Sequence, residues 1–207
     1  MNIQKVLCAL CLAGAMVLAS HAMVSAAQSG GGPQTVQAIF AGGCFWSVER
    51  FFDKVEGVVS TVSGFAGGSK KNPTYDEVVA GGTGHAESVQ VTYNPKKVSY
   101  DKLLDIFWRN IDPFTPNGQF CDFGTQYRTA IFYQGEEQKR LAEKSKAELQ
   151  ARFKKPVATE ITAASEFYPA EEYHQDFHIK KPAHYERYRI GCGRDRQIAK
   201  IWGNQKN

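Results

Sequence analysis

"TVQAIFAGGCFWSVERFFDKVEGVVSTVSGF", residues 35–65, decides how the chain is read. Thr35 to Ala41 is a short run of alternating and apolar residues that stops at Gly42-Gly43, as a strand does on meeting a turn. From there Phe45, Val48, Phe51, Phe52 and Val55 recur at helical spacing. Val58 to Phe65 is strand-like again and closes on Gly67-Gly68. The stretch is strand, glycine turn, helix, strand, with Cys44 at the first turn of the helix.

Further elements follow on the same grounds. Glu87 to Tyr93 ("ESVQVTY") alternates as a half-buried strand does. Ser99 to Trp108 opens with an N-cap serine and carries apolar residues at helical intervals. Tyr127 to Tyr133 is a strand, Glu136 to Phe153 an amphipathic helix with Leu141, Ser145, Leu149 and Phe153 four apart, and Val157 to Ala163 a strand. This alternation predicts an α+β fold: a two-layer sandwich of a mixed β-sheet and packed helices. The expected core is a ferredoxin-like β-α-β arrangement, with an irregular aromatic tail after Phe167. Glycine-rich loops at 64–68, 81–84 and 191–193 leave room for a site near the strand ends.

The first residues have the composition of an address. Lys5 charges a short n-region, and Val6 to Ala19 is nearly all apolar but shorter than a membrane span. Small residues at 24–27 fit signal-peptidase cleavage after Ala26 or Ala27. The expected organisation is a signal peptide over 1–26, a flexible leader over 27–35 and a single domain over 36–207. Its destination is the periplasm or the exterior. The net charge of +4, less Lys5 of the signal peptide, leaves +3. That is too mild to argue for nucleic acid or an anionic membrane as partner. Cys8 and Cys11 leave with the signal peptide. Cys44, Cys121 and Cys192 remain, an odd number that in an exported chain suggests a reactive thiol.

Cys44 is the candidate. Unpaired N–H groups and the positive end of a helix favour a thiolate there. Phe45 and Trp46 cannot both face the core, so at least one should line an apolar pocket beside the sulfur. Glu87 begins a strand just after a glycine loop, where an apolar setting would raise its pKa and let it donate a proton at neutral pH. Asp122 and Tyr127 gather in the turn before a later strand, and Tyr75 stands in "NPTYDEV", 72–78. Tyrosine hydroxyls donate well to a polar oxygen in a dry pocket.

"GCFWSVE" (43–49), "GHAES" (84–88) and "GTQYR" (124–128) together resemble the A-type peptide-methionine sulfoxide reductases. The resemblance keeps segment order from about Val36 to Trp202. It implies that Cys44 attacks the sulfoxide sulfur and that Phe45 and Trp46 hold the substrate S-methyl group. Glu87 would protonate the sulfoxide oxygen, Tyr75 and Tyr127 would hydrogen-bond it, and Asp122 would order the site. Methionine leaves and Cys44 becomes a sulfenic acid. The resemblance further implies the S epimer, free or in proteins, as substrate. It implies no metal or organic cofactor, a thioredoxin-like dithiol as reductant, and a monomer. In familiar members the resolving cysteines lie in a glycine-rich C-terminal tail. Cys192, between Gly191 and Gly193, is the candidate of that kind here. Cys121, beside Asp122, could instead resolve Cys44 or pair with Cys192. Ser47 occupies a position where some members carry another cysteine.

Other readings meet the same residues less well. A papain-like cysteine hydrolase would use His174, but no Asn follows it where an orienting residue belongs. His85-Ala86-Glu87 lacks the paired cysteines of a zinc deaminase. His174 and His178, four apart on a possible helix, enclose Gln175 where a zinc protease carries Glu. A non-catalytic secreted binding module with one Cys121–Cys192 disulfide is the remaining alternative.

Overall fold

A computed structural model describes residues 34–203. The signal peptide over 1–26, and nearly all of the leader over 27–35, lie outside the described residues.

Strand β1 (Val36–Gly42) is the spine of the sheet. It pairs antiparallel with β3 (Ala86–Tyr93) on one side and β6 (Thr129–Tyr133) on the other. The second strand of the opening unit, β2 (Val58–Ala66), pairs antiparallel with the far side of β3. Helix α1 (Phe45–Asp53) carries the chain from β1 to β2, so β1 and β2 run parallel with β3 between them. That split β-α-β unit, extended by β6, is the ferredoxin-like core the sequence predicts. Short strands β7 (Glu160–Ala163), parallel to β6, and β8 (Tyr168–Pro169), antiparallel to β2, complete a mixed sheet in the order β7-β6-β1-β3-β2-β8. A separate hairpin joins β4 (Gly118–Gln119) to β5 (Asp122–Phe123).

Alternation along β1 builds the layers. Ala38 and Phe40 face the helices, whereas Ile39 and Ala41 face a smaller cluster with Ala66, Ala86, Ala130 and Phe132. Phe40 stacks on Phe52 of α1 at 4.9 Å and on Phe107 of α3 (Tyr100–Arg109) at 5.1 Å. Each buried ring contributes about 1.5–3 kcal/mol by leaving water. Helix α4 (Gly135–Phe153) docks through Ala142 and Leu149, and its Ser145 accepts a hydrogen bond from Trp108 Nε1 at 2.9 Å.

The structure departs from expectation in two places. A short helix, α2 (Tyr75–Ala80), fills the loop after β2; its signal is the Thr74…Glu77 capping box. The stretch after Phe167 is also far less irregular than expected. It forms β8, then α5 (Phe177–Lys180), α6 (Pro182–Cys192) and α7 (Arg194–Trp202). Helix α6 buries only Tyr185 and Cys192, too thin a stripe to show as periodicity. Its boundaries were legible all the same: Pro182 at the start and Gly193, φ 67°, at the end.

Gly43 holds the turn that aims α1. Its φ is 80°, and a Cβ there would lie 2.5 Å from the Cβ of Gln119. Gln119 cannot yield, because its amide is bonded to both the N–H and the C=O of Asp112. Gly43→Ala should therefore lower stability by roughly 2–4 kcal/mol, read by denaturant unfolding.

Candidate active site

Cys44 is the N-cap residue of α1, one position before the first helical residue and not within the first turn as expected. Its sulfur is buried, the residue being 7% exposed. The first free N–H of the helix, that of Phe45, donates to Glu87 Oε2 at 3.0 Å. The first N–H of the helix is thus committed to Glu87 and not to the sulfur. The Tyr188 hydroxyl and the Trp46 N–H pull the Cys44 thiol back toward ionisation. Burial, then the charges of Glu87 and Asp122, push the Cys44 thiol well above the ordinary cysteine value. The expectation of a standing thiolate is corrected: desolvation exceeds what the helix terminus supplies, and the resting sulfur keeps its proton.

Glu87 lies near the start of β3, opposite Phe65 of β2, and is 1% exposed. Burial pushes its carboxyl up to about 8, the Phe45 N–H holds it back, and Asp122 adds to the rise. At neutral pH it is predominantly a carboxylic acid, able to give a proton. Tyr75, the first residue of α2, is fixed by its N–H donating to Glu171 at 2.9 Å. Tyr127 ends a single 3-10 turn, Thr125–Tyr127. Burial, then the charge of Glu87, lifts both phenols, so each keeps its proton and can donate it in a hydrogen bond.

The two aromatics after the thiol part company. Phe45 packs inward, 6.0 Å from Phe65, 6.2 Å from Tyr75 and 5.0 Å from His174. Trp46 stacks on Phe177 of α5 at 3.8 Å, and its Nε1–H donates to His174 Nδ1 at 3.1 Å. His174 is therefore a brace for Trp46 and does not pair with Cys44, against the papain-like reading. His85 is structural as well: Nδ1 accepts from the Gly68 N–H at 3.1 Å and Nε2 donates to Lys70 C=O at 2.7 Å. His174 and His178 do not share a helix, since the first ends a 3-10 turn and the second lies in α5 beside Asp53.

Asp122, on β5, accepts a hydrogen bond from Tyr188 of α6 at 2.5 Å. Burial raises its carboxyl, offset by Tyr188 and by Arg194. Neither Tyr188 nor Arg194 was picked out from sequence. Tyr188 was hidden in an aromatic-rich run, although its position one turn before Cys192 pointed to the site. Arg194, at the start of α7, is buried with its guanidinium 4.7 Å from the Phe120 ring and donates to Asn110 C=O at 2.8 Å. Cys121 and Cys192 form a disulfide, and Cys44 is the free cysteine among the described residues. Of the pairings left open by sequence, this is the one present. The single cluster of metal-type donors among the described residues, Cys121, Asp122 and Cys192, has both thiols committed to that bond.

A thiol, a protonated carboxyl and two phenols around an aromatic wall suit reduction of a polar S=O group. The chain matches the family described as peptide methionine sulfoxide reductase over residues 36–206. It is 50% identical over 170 residues to the peptide methionine sulfoxide reductase MsrA of Bacillus licheniformis, covering 81% of this chain and 94% of that one. This chain belongs to the peptide methionine sulfoxide reductase family. Among solved structures, the methionine sulfoxide reductase A of Corynebacterium diphtheriae is similar at TM-score 0.66 and 37% identity, covering 73% of this chain and 77% of that one. Mxr1 from Saccharomyces cerevisiae in complex with Trx2 is similar at TM-score 0.51 and 28% identity, covering 70% and 85%. The reductase converts methionine sulfoxide to methionine by a thiol mechanism.

The raised Glu87 carboxyl has a cost in stability with a defined sign. Its folded value of about 8 exceeds the ordinary 4.5, so folding favours the protonated form. Stability is lost as pH rises from about 4.5 through about 8. Glu87→Gln keeps the shape without the charge. It should stabilise the reductase at pH 9 by roughly 1–3 kcal/mol, leave stability at pH 4 nearly unchanged, and slow sulfoxide reduction by about 10²-fold or more.

Proposed function

We propose that the reductase acts on the S epimer of methionine sulfoxide, free and in proteins, and repairs oxidised methionine outside the cytoplasm. The substrate S-methyl group sits against Phe45 and Trp46, and the sulfoxide oxygen points toward Glu87, Tyr75 and Tyr127. Cys44 Sγ forms a bond to the sulfoxide sulfur while Glu87 gives its proton to the oxygen. The Cys44 thiol proton passes to the Glu87 carboxylate, restoring the acid. Transfer of the hydroxyl to Cys44 breaks the substrate S–O bond and the newly made S–S bond, releases methionine and leaves Cys44–SOH, so sulfur is reduced on the substrate and oxidised on the enzyme. The acid, already protonated, lets nucleophile and leaving oxygen be served in one step without a standing thiolate.

The observation that carries this reading is the hydrogen bond from the Phe45 N–H to the buried Glu87 carboxyl, directly beside the free thiol. Val6 to Ala19 and the small residues at 24–27 support export. The yeast relative's complex with Trx2 supports a thioredoxin-like dithiol as reductant.

The deciding assay drives the enzyme with dithiothreitol on each sulfoxide epimer separately. Methionine should form from the S epimer alone, and Cys44→Ser should abolish it. Comparable rates on both epimers, or activity surviving in Cys44→Ser, would contradict the assignment. Export is checked by N-terminal sequencing of the protein recovered from outside the cytoplasm. It should begin at Ala27 or Gln28, and an intact Met1 on a chain retained in the cytoplasm would overturn it.

A further inference from the structure

Arg194 is the one arginine or lysine buried among the described residues, 4% exposed, and no step of the sulfoxide reaction above uses it. We propose that Arg194 is a positioning residue for that reaction. Its buried charge holds Asp122 ionised and offsets the negative charge that appears on the Cys44 sulfur as its proton leaves. The proposal rests on Cys44 being the sulfoxide-reducing thiol, and three observations support it.

The first is where the guanidinium lies. Its Nη2 donates to the Asn110 C=O at 2.8 Å and comes to 3.5 Å from the Gly42 C=O, at the end of β1 and two residues before Cys44. Its carbon sits 4.7 Å from the centre of the Phe120 ring, two residues before Asp122. The charge is therefore lodged between the strand end that delivers the thiol and the hairpin that delivers the carboxyl.

The second is that nothing in contact neutralises it. Arg194 makes no ion pair among the described residues, and its Nη1 has no hydrogen-bond partner there. Carbonyl dipoles satisfy Nη2 but do not balance a full charge. Arg194 is also the first residue of α7, where the positive end of the helix disfavours a cation. A long cationic side chain in that place would ordinarily reach for water. This one turns inward.

The third is the character of the groups it turns toward. Glu87 of β3, Asp122 of β5, Tyr188 of α6, Tyr75 of α2 and Tyr127 of the 3-10 turn surround Cys44 electrostatically. All are acids, so each can only add negative charge on ionising. Arg194 supplies the positive charge that lets one of them ionise, and Asp122 is that one. Tyr188 donates to Asp122, and Tyr188 and Arg194 hold its carboxyl down against burial. An ionised Asp122 in turn fixes the Tyr188 hydroxyl as its donor. Burial disfavours the charged guanidinium, whereas Tyr188, Tyr185, Cys44 and Asp122 favour it, and an arginine stays cationic throughout.

Two substitutions separate charge from hydrogen bonding. Arg194→Gln keeps a donor for the carbonyls and loses the charge, whereas Arg194→Lys keeps the charge. With the Cys121–Cys192 disulfide in place, Cys44 is the free cysteine among the described residues. Its capture by iodoacetamide, read by peptide mapping, then follows its ionisation. The capture rate should rise with pH in every form, and the Gln variant should need about one pH unit more to match wild type. In a single turnover of reduced enzyme, that variant should form methionine about tenfold more slowly, with half-saturation by the sulfoxide moved by less than about twofold. The Lys variant should recover most of both losses. A Gln variant equal to wild type in both measurements would overturn the proposal, as would a folded Lys variant no better than Gln.

A third variant leaves Arg194 in place, should its replacements fail to fold. Asp122→Asn removes the anion that Arg194 offsets. Anionic iodoacetate should then gain on neutral iodoacetamide at Cys44, to about threefold or more above their ratio for a free model thiol. A ratio no higher than that of the model thiol would contradict the proposal. These captures read the charge at the sulfur without any sulfoxide. Sulfoxide reduction surviving in Cys44→Ser would instead sink the assignment of that thiol, and this proposal with it.

Discussion

The hydrogen bond between the Phe45 N–H and the Glu87 carboxyl joins the start of α1 to the start of β3, and the rest of the site is arranged around it. A helix N-terminus has donors that must be satisfied, and a buried carboxyl is costly without them. Each solves the other's problem. Yet one N–H does not offset full burial, so Glu87 is left neutral enough to hold a proton at physiological pH. The same burial keeps the adjacent Cys44 protonated. The site therefore holds a protonated carboxyl and a protonated thiol side by side, with no exposed thiolate.

Much of the fold was legible because its signals are local. The Gly42-Gly43 turn, the Phe45/Val48/Phe52 stripe and the alternation of Glu87 to Tyr93 each specify an element without help from distant residues. The ferredoxin-like strand order follows once those elements are in sequence. The helical segments after Phe167 showed no periodicity, because their apolar side chains turn toward the site and its aromatic braces rather than along one stripe; only the end signals of α6 marked one of them. Trp46 against Phe177, and Tyr188 against Asp122, are contacts between residues more than sixty positions apart. No periodicity announces them.

The residue types at the site were readable, but the ionisation of Cys44 was not. A cysteine beside a helix start suggests a thiolate only if the helix donors reach its sulfur and solvent reaches the rest. Here Glu87 takes the first donor and the sulfur is almost wholly buried. The choice among disulfide pairings was likewise hidden, since Cys121 and Cys192 are brought to a Cα separation of 5.0 Å by the hairpin β4–β5 meeting the end of α6. Chain spacing carries no trace of that.

The central claim is that Glu87 stands protonated beside a protonated thiol in the resting enzyme. Infrared difference spectroscopy across a pH titration, with Glu87→Gln to assign the band, reads that carboxyl directly. A buried carboxylic C=O stretch present at pH 7, absent from the variant and lost as pH passes through about 8 is the expected result. A Glu87 that is already a carboxylate at pH 6 would contradict the account.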